Sequence, residues 1–225
     1  MIKAAIFDVD GTLIDSVDFH ARAWQQALEH FGHRVDFETV RYQIGKGGDQ
    51  LMPVFLNEQQ LAEYGGELEH YRGELYKREY MPQVRPFPGV RELFERLKSD
   101  GKQIVLASSA KSDEVSFYKK LLNVADLLDG RTSADDAERS KPHPDIFEAA
   151  LDQCEGVALE QAIVIGDTHY DAIAAGRAGI SIIGVLCGGF PEQDLIEAGC
   201  IEIYRDPSDI LAHYEETPFA VKQAA

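Results

Sequence analysis

The segment that most constrains the fold is IFDVDGTL, residues 6–13, close to the N-terminus. The apolar run that leads into it, residues 4–7, is typical of a buried strand. Asp8 and Asp10 follow directly, and Gly11 then marks a turn. A strand end that concentrates negative charge requires a cation, and it offers one aspartate as nucleophile and another as acid or base. Asp and Gly are also ordinary turn residues, so the motif alone leaves a solvated turn as the alternative.

Similar apolar runs recur along the chain, and helical patterns follow most of them. These runs cover residues 103–107, 162–165 and 180–185, with a weaker one at 131–133. Alternating strands and helices predict a mostly parallel sheet with right-handed crossovers. We therefore predict an α/β protein with a Rossmann-like core.

The stretch between the first two strands carries helical signals alone, and it is too long for an ordinary crossover. We predict an α-helical domain inserted over the strand ends, residues 16–84, and refer to it as the helical insert. Residues 1–15 and 85–225 then form the catalytic core. The tail from residue 217 to residue 225 is expected to be loosely ordered.

The charge balance limits the partners of this chain. Acidic residues number 39 against 22 basic ones, which gives a formal net charge of −17. Such a surface repels nucleic acid and anionic membranes, so we predict neither as a partner. The three cysteines lie far apart without metal-ligand spacing, as is typical of reduced thiols. With no signal peptide and no membrane-spanning run in the sequence, we predict a cytoplasmic protein that is a monomer or a homodimer.

Polar residues also follow other predicted strands. Ser108 and Ser109 come directly after residues 103–107, where hydroxyl and backbone N–H groups could bind an anion. The alternative is an ordinary helix cap by Ser109 or Ser112. Two prolines stiffen the segment that contains Lys141, and a rigidly held lysine could bind a phosphate or a carboxylate. The alternative is an ordinary solvated lysine in a loop.

Asp167 follows the buried run 162–165, and Asp171 lies one helical turn further on. In isolation they could be a helix cap and a first-turn acid. Parallel sheets bind ligands at the carboxyl ends of their strands, where the strand order reverses. If the first and fourth strands flank that point, these two aspartates meet Asp8 and Asp10. Four carboxylates in one crevice require a cation, and hard oxygen ligands indicate Mg²⁺.

Taken together, these motifs resemble the haloacid dehalogenase-like hydrolase superfamily over nearly the whole chain. Asp8-Val9-Asp10-Gly11-Thr12 resembles its first motif, Ser108 the second, Lys141 the third, and Gly166-Asp167 with Asp171 the fourth. The helical insert resembles the cap of the phosphoglycolate phosphatase and β-phosphoglucomutase branch. Asp10 argues against the dehalogenases, which lack this second aspartate and the metal.

This resemblance implies a Mg²⁺-dependent phosphatase that acts on a small phosphorylated metabolite through an aspartyl phosphate. Asp8 would attack phosphorus, and Asp10 would protonate the leaving oxygen and then deprotonate water. The implied catalytic residues are Asp8, Asp10, Ser108 and Lys141. The implied metal ligands are Asp8, Asp10, Asp167 and Asp171, with Asp10 acting through its backbone carbonyl. The implied phosphate-binding residues are Gly11, Ser108, Ser109 and Lys141.

The helical insert is expected to select the substrate. The flexible loop of Gly45, Lys46 and Gly47 could reach over the crevice, and Lys46 could bind a second anionic group or simply be solvated. His20, on the first insert helix, is either surface or cleft-facing. Two alternatives to a phosphatase stay open: a phosphomutase of the β-phosphoglucomutase type, and a catalytically silent binding module.

Overall fold

The computed structural model describes residues 1–220 and contains a six-stranded parallel sheet. Its order is β5-β4-β1-β6-β7-β8, and every neighbouring pair is parallel. The predicted α/β class is therefore confirmed. In chain order the strands, with a separate two-stranded ribbon, are β1 Ala4–Phe7, β2 Ile14–Asp15, β3 Arg85–Pro86, β4 Gln103–Ala107, β5 Gly130–Thr132, β6 Ala162–Gly166, β7 Ser181–Val185 and β8 Glu202–Tyr204.

Both faces of the sheet are buried. Successive side chains of β1 point to opposite faces, and each face packs into its own apolar cluster. Ala5 and Phe7 belong to one apolar cluster, and Ala4 and Ile6 belong to another. The helices that accompany the sheet are α6 Val90–Ser99, α7 Ser112–Leu121, α8 Asp145–Asp152, α9 His169–Ala178, α10 Glu192–Glu197 and α11 Pro207–Ala212. This arrangement explains why β1 is apolar throughout rather than alternating.

The helical insert contains α1 Val17–His30, α2 Phe37–Arg41, α3 Gly48–Phe55, α4 Glu58–Gln60 and α5 Gly66–Leu75. Two π-helical segments, Leu61–Gly65 and Tyr76–Tyr80, adjoin α5. Most members of a third apolar cluster come from the insert, among them Trp24, Val40 and Leu68. An inserted domain would have such a core of its own, and the boundaries at residues 16 and 84 stay predictions.

The two passages of chain that join core and insert pair with each other. In this antiparallel ribbon Ile14 lies opposite Pro86 and Asp15 lies opposite Arg85. The sequence interpretation missed the ribbon because each strand has only two residues. It also missed β8, whose residues are half-buried and form no apolar run.

The expectation of a loose tail is wrong for its first residues. Thr217 and Phe219 are buried, and the Phe219 ring stacks on Tyr214 with centroids 6.4 Å apart. The last five residues of that tail, 221–225, lie outside the described part of the chain. Within residues 1–220, no helix has both the length and the apolar character that crossing a bilayer requires.

The order of the strands sets the position of the site. From β1 the sheet continues through β4 to β5 on one side, and the chain then returns to β6 on the other side. The strand order thus reverses between β1 and β6, which meets the condition that the sequence analysis set for the first and fourth predicted strands. Side chains that follow these two strands lie at one crevice.

Candidate active site

The loop after β1 folds back tightly on itself. The backbone N–H groups of Thr12, Leu13 and Ile14 all lie within hydrogen-bond distance of the Val9 carbonyl. Gly11 has a φ of +87°, and a Cβ there would lie 2.2 Å from Asp167 Oδ2. A glycine is needed at this position for both reasons, and its predicted role in phosphate binding stays a prediction.

Three carboxylates converge at the reversal point. Oxygen atoms of Asp8, Asp167 and Asp171 lie within 4.8 Å of one another, and all three residues are buried. The Lys141 ammonium group contacts an oxygen of Asp8 and donates to Asp171 Oδ1 at 2.7 Å. The Thr12 hydroxyl is 3.2 Å from Asp8 and 3.1 Å from Asp167. One buried cation therefore stands among three buried acids.

Burial and charge shift the protonation of this cluster. Burial raises the pKa of Asp8 to about 7, although Lys141 opposes the shift. Burial and the negative charges of Asp171 and Asp8 raise the pKa of Asp167 well above its ordinary value. Burial alone would lower the pKa of Lys141, but Asp171 and Asp8 more than offset it and raise the pKa. The lysine stays charged, whereas burial and mutual repulsion favour the protonated forms of Asp8 and Asp167 unless a further cation offsets their charge.

The surroundings of Asp167 fit a metal ion. Its Oδ2 atom is buried and has no hydrogen-bond partner among the described residues. A Cβ at Gly188 would lie 1.8 Å from this oxygen, so two glycines, Gly11 and Gly188, leave space beside it. The donors in this cluster are all carboxylate oxygens, which suit a hard divalent cation such as Mg²⁺.

The Asp10 side chain points away from the carboxylate cluster, toward the helical insert. Its Oδ1 accepts hydrogen bonds from Ser16 Oγ at 2.7 Å and from His20 Nε2 at 2.8 Å. The other ring nitrogen of His20 lies 2.6 Å from an Arg72 nitrogen. Because arginine can only donate, Nδ1 of His20 accepts this hydrogen bond. Nε2 therefore carries the hydrogen and donates the hydrogen bond to Asp10. Burial acts to raise the pKa of Asp10, but His20 and Ser16 outweigh it and the pKa is lowered.

The alternative of an ordinary helix cap is wrong for the serines after β4. Helix α7 begins after Lys111 and has no side-chain cap. Ser108 is fully buried, and its hydroxyl accepts from the backbone N–H of Ala110 at 3.1 Å. The Ser109 hydroxyl is buried without a hydrogen-bond partner among residues 1–220, and this residue lines the cavity described below.

At the start of α9 the cap is Thr168 rather than Asp167. Its side chain accepts from the Asp171 backbone N–H, and Asp171 Oδ2 accepts from the Thr168 backbone N–H at 3.0 Å. This capping box fixes the Asp171 carboxylate, whose other oxygen binds Lys141. Asp171 therefore has both a structural role and a place in the cluster.

A cavity of about 370 Å³ lies between the core and the helical insert. Asp8, Asp10 and Lys141 line its core side, and His20 and Trp24 line its insert side. His20 is thus cleft-facing. The residues of the cavity wall that sequence reasoning missed include Glu69, Arg72 and Glu114. No local motif marks them, since each sits in a helix where a charged residue is ordinary.

The predicted loop of Gly45, Lys46 and Gly47 also lines the cavity. Lys46 is half-buried rather than fully solvated. Its Nζ atom donates to Gln43 Oε1 at 2.6 Å and lies 4.7 Å from the centroid of the Tyr170 ring. Burial lowers the pKa of Lys46. Whether Lys46 binds substrate stays a prediction.

Comparison with known proteins adds the family to this geometry. A family model described as haloacid dehalogenase-like hydrolase matches residues 5–185, a segment that includes every aspartate of the site. The chain belongs to this family. The predicted resemblance is thereby confirmed.

Several known proteins resemble the chain over nearly its full length. A phosphoglycolate phosphatase from Yersinia pseudotuberculosis is 31% identical, with 96% of this chain and 91% of that protein covered. A phosphorylated carbohydrates phosphatase from Thermotoga maritima is 27% identical, with 93% and 97% covered. The crystal structure of a hydrolase from Pseudomonas syringae is 30% identical with a TM-score of 0.85, and 95% and 98% are covered.

Proposed function

We propose that this chain is a phosphatase that transfers the phosphoryl group of a small phosphomonoester to Asp8 and then to water. The observation that carries the proposal is the contrast between the two aspartates of one loop. Asp8 lies in the buried cluster with Lys141, whereas Asp10 faces the insert and binds His20. A carboxylate beside a buried lysine suits a nucleophile, and one that lines the cavity and is held by hydrogen bonds suits an acid–base group. The names of the relatives support the same activity.

In the first step, a carboxylate oxygen of Asp8 forms a bond to phosphorus as the bond from phosphorus to the leaving oxygen breaks. The leaving oxygen takes a proton from Asp10. In the second step, water attacks the aspartyl phosphate and returns a proton to Asp10 while the Asp8 carboxylate is released. Ser16 and His20 hold Asp10 in one orientation for both transfers.

Lys141 and Ser109 are placed to receive the phosphoryl oxygens. Lys141 supplies a buried positive charge beside Asp8, and Ser109 supplies a buried hydroxyl on the cavity wall. Asp8, Asp167 and Asp171 would hold Mg²⁺, which when bound offsets the charge of the phosphate and of the carboxylates. The predicted Asp10 carbonyl ligand and a role for Ser108 belong to the same proposal.

A phosphomutase would use the same Asp8 and Asp10 but would exclude water from the aspartyl phosphate. The experiment that separates the two measures inorganic phosphate after Mg²⁺ addition, without any sugar bisphosphate. Release from several phosphomonoesters, and none from the Asp8→Asn variant, supports the phosphatase. Isomerisation of β-glucosyl phosphate with little phosphate released would establish the mutase. A lack of both reactions would favour the silent binding module.

The expected partners and location belong to this proposal as well. The substrate is a small phosphorylated metabolite, and the acidic net charge of −17 disfavours nucleic acid and membranes. All three cysteines are free, as a cytoplasmic location would require. Either a monomer or a homodimer is compatible with the proposal, because all the site residues described above come from one chain.

A further inference from the structure

Glu114 is a buried carboxylate that the proposed reaction does not use. It lies in the first turn of α7, is 2% exposed and lines the cavity. Among the described residues, its carboxylate has no hydrogen-bond donor and no ion-pair partner. Because Glu114 lines the cavity and its oxygens are not fully buried, its carboxylate opens onto the cavity. A group that enters the cavity could supply the missing donor.

Glu114 lies on the side of the cavity where the leaving group must sit. The phenol groups of Tyr76 and Tyr118 bind each other at 2.6 Å. Tyr118 follows Glu114 by one turn of α7, and Tyr76 stacks on the His20 ring, which binds Asp10. Asp10 is the proposed proton donor to the leaving oxygen. Glu114 therefore faces the part of the substrate beyond that oxygen.

The first turn of α7 is fixed at the junction with the insert. Asp113, the neighbour of Glu114, forms an ion pair with Lys77 of the insert at 2.6 Å. The backbone N–H of Glu114 also donates a hydrogen bond to Asp113 Oδ1 at 3.0 Å. Glu114 is thus positioned when the insert stands over the core.

Arg72 supplies a donor across the same cavity. Its guanidinium lies 5.0 Å from the Trp24 ring centroid and binds His20 through one terminal nitrogen. Its Nε atom is buried and has no acceptor within residues 1–220. The cavity wall therefore presents an unpaired acceptor at Glu114 and an unpaired donor at Arg72. A substrate hydroxyl group can satisfy either, since it both donates and accepts.

Other charged groups of the wall disfavour a second anion near Glu114. Glu69, one turn before Arg72 on α5, also lines the cavity. Among the cations of the wall, Lys141 is paired with Asp8 and Asp171. Arg72 binds His20 through one nitrogen, Lys46 already binds Gln43, and Lys111 is exposed. A carboxylate or second phosphate beside Glu114 would be repelled in a site of low dielectric.

We propose that Glu114 and Arg72 bind hydroxyl groups of the leaving group, so that the enzyme prefers phosphate esters of sugars and neutral polyols over esters that carry a second anionic group. This inference rests on the proposed phosphatase function and names its substrate class. A cavity of about 370 Å³ is within the usual range for a small-molecule site.

The test compares kcat/KM for a hexose phosphate, glycerol phosphate, phosphoglycolate and p-nitrophenyl phosphate, each with Mg²⁺. We expect the hexose phosphate to exceed phosphoglycolate by roughly tenfold or more. Glu114→Ala should lower the ratio of hexose phosphate to p-nitrophenyl phosphate about tenfold, as expected for the loss of one charged hydrogen bond. Glu114→Gln, which keeps the volume and removes the charge, should raise phosphoglycolate relative to the hexose phosphate.

The matched control is Glu148→Gln, an identical change at an exposed position of α8. It should leave all four substrate ratios as they are in the parent enzyme. Phosphoglycolate turnover equal to that of the hexose phosphate, or ratios that Glu114→Ala and Glu114→Gln leave unchanged, would overturn the inference. If no substrate releases phosphate, including p-nitrophenyl phosphate, the proposed phosphatase function itself is wrong.

Discussion

His20 Nε2 donates a hydrogen bond to Asp10 Oδ1 over 2.8 Å, and this bond joins the helical insert to the loop after β1. Arg72, also from the insert, fixes the ring from its other side. The ring further stacks on Tyr76, with centroids 3.9 Å apart. The proposed acid–base group is thus oriented by side chains that belong to the insert. In the proposed reaction, proton transfer by Asp10 therefore depends on the position of the insert over the core.

Replacing His20 by Ala should lower kcat by about tenfold to a hundredfold, because a general acid–base group loses its orientation. The same change should raise the pKa of Asp10, since His20 is the main group that lowers it. Asp10 must hold the proton that it donates to the leaving oxygen, so the basic limb of the kcat/KM profile should move to higher pH. His33→Ala is the control, because His33 binds Tyr64 within the insert. An unshifted profile for His20→Ala would show that this contact is structural only.

Asp8→Asn should reduce kcat by at least about a thousandfold, because an amide cannot attack phosphorus. The fold should persist, since Lys141 keeps its ion pair with Asp171 at 2.7 Å. The same substitution at Asp15, an exposed residue of β2, should have a much smaller effect. Phosphate release and circular dichroism measure the two properties. Near-normal turnover by Asp8→Asn would mean that another group is the nucleophile.

Mg²⁺ should stabilise the protein much more at about pH 8 than at about pH 5, because it binds ionised carboxylates. In the metal-free protein the pKa of Asp8 is raised from 3.8 to about 7, so the folded state holds a proton that the unfolded chain has lost. Stability of the metal-free protein should therefore fall as the pH rises through this interval.

Thermal unfolding with and without Mg²⁺ measures this effect. A hundredfold excess of Mg²⁺ over its Kd corresponds to about 2.7 kcal/mol, or roughly 5–10 °C in Tm for a chain of this size. Chelator-treated protein should also lose phosphate release until Mg²⁺ is restored. Equal Tm shifts at both pH values would contradict binding at the buried carboxylates.

Gly188→Ala should weaken Mg²⁺ binding by about tenfold or more, as expected when groups around a metal site are disturbed. The new Cβ would lie 1.8 Å from Asp167 Oδ2, so this carboxylate would have to move. Gly176→Ala is the matched control, since a Cβ there meets nothing within 4 Å and the residue is inside α9. The control should keep its Mg²⁺ affinity and gain up to about 1 kcal/mol of helix stability. Titrating each variant with Mg²⁺ and following Tm gives the two affinities. Equal Mg²⁺ affinities of the two variants would argue against Asp167 as a ligand.

The sequence by itself determined the fold class and the groups of the cluster. Apolar runs that end in Asp8 and in Asp167 indicated neighbouring buried strands, because parallel strands are apolar on both faces and bind ligands at their carboxyl ends. A helical stretch too long for a crossover indicated the insert. These signals are local, since residue type and spacing carry them.

Only the tertiary structure decided which way each side chain points and what it meets. Asp8 and Asp10 are two residues apart, yet one faces Lys141 and the other faces His20. Glu114 and Arg72 have no local signal, because what distinguishes them is burial in a cavity between two parts of the chain. The contact of Asp171 with Lys141 likewise depends on packing between distant segments. Such contacts join residues far apart in sequence, and the packing of the insert on the core creates them.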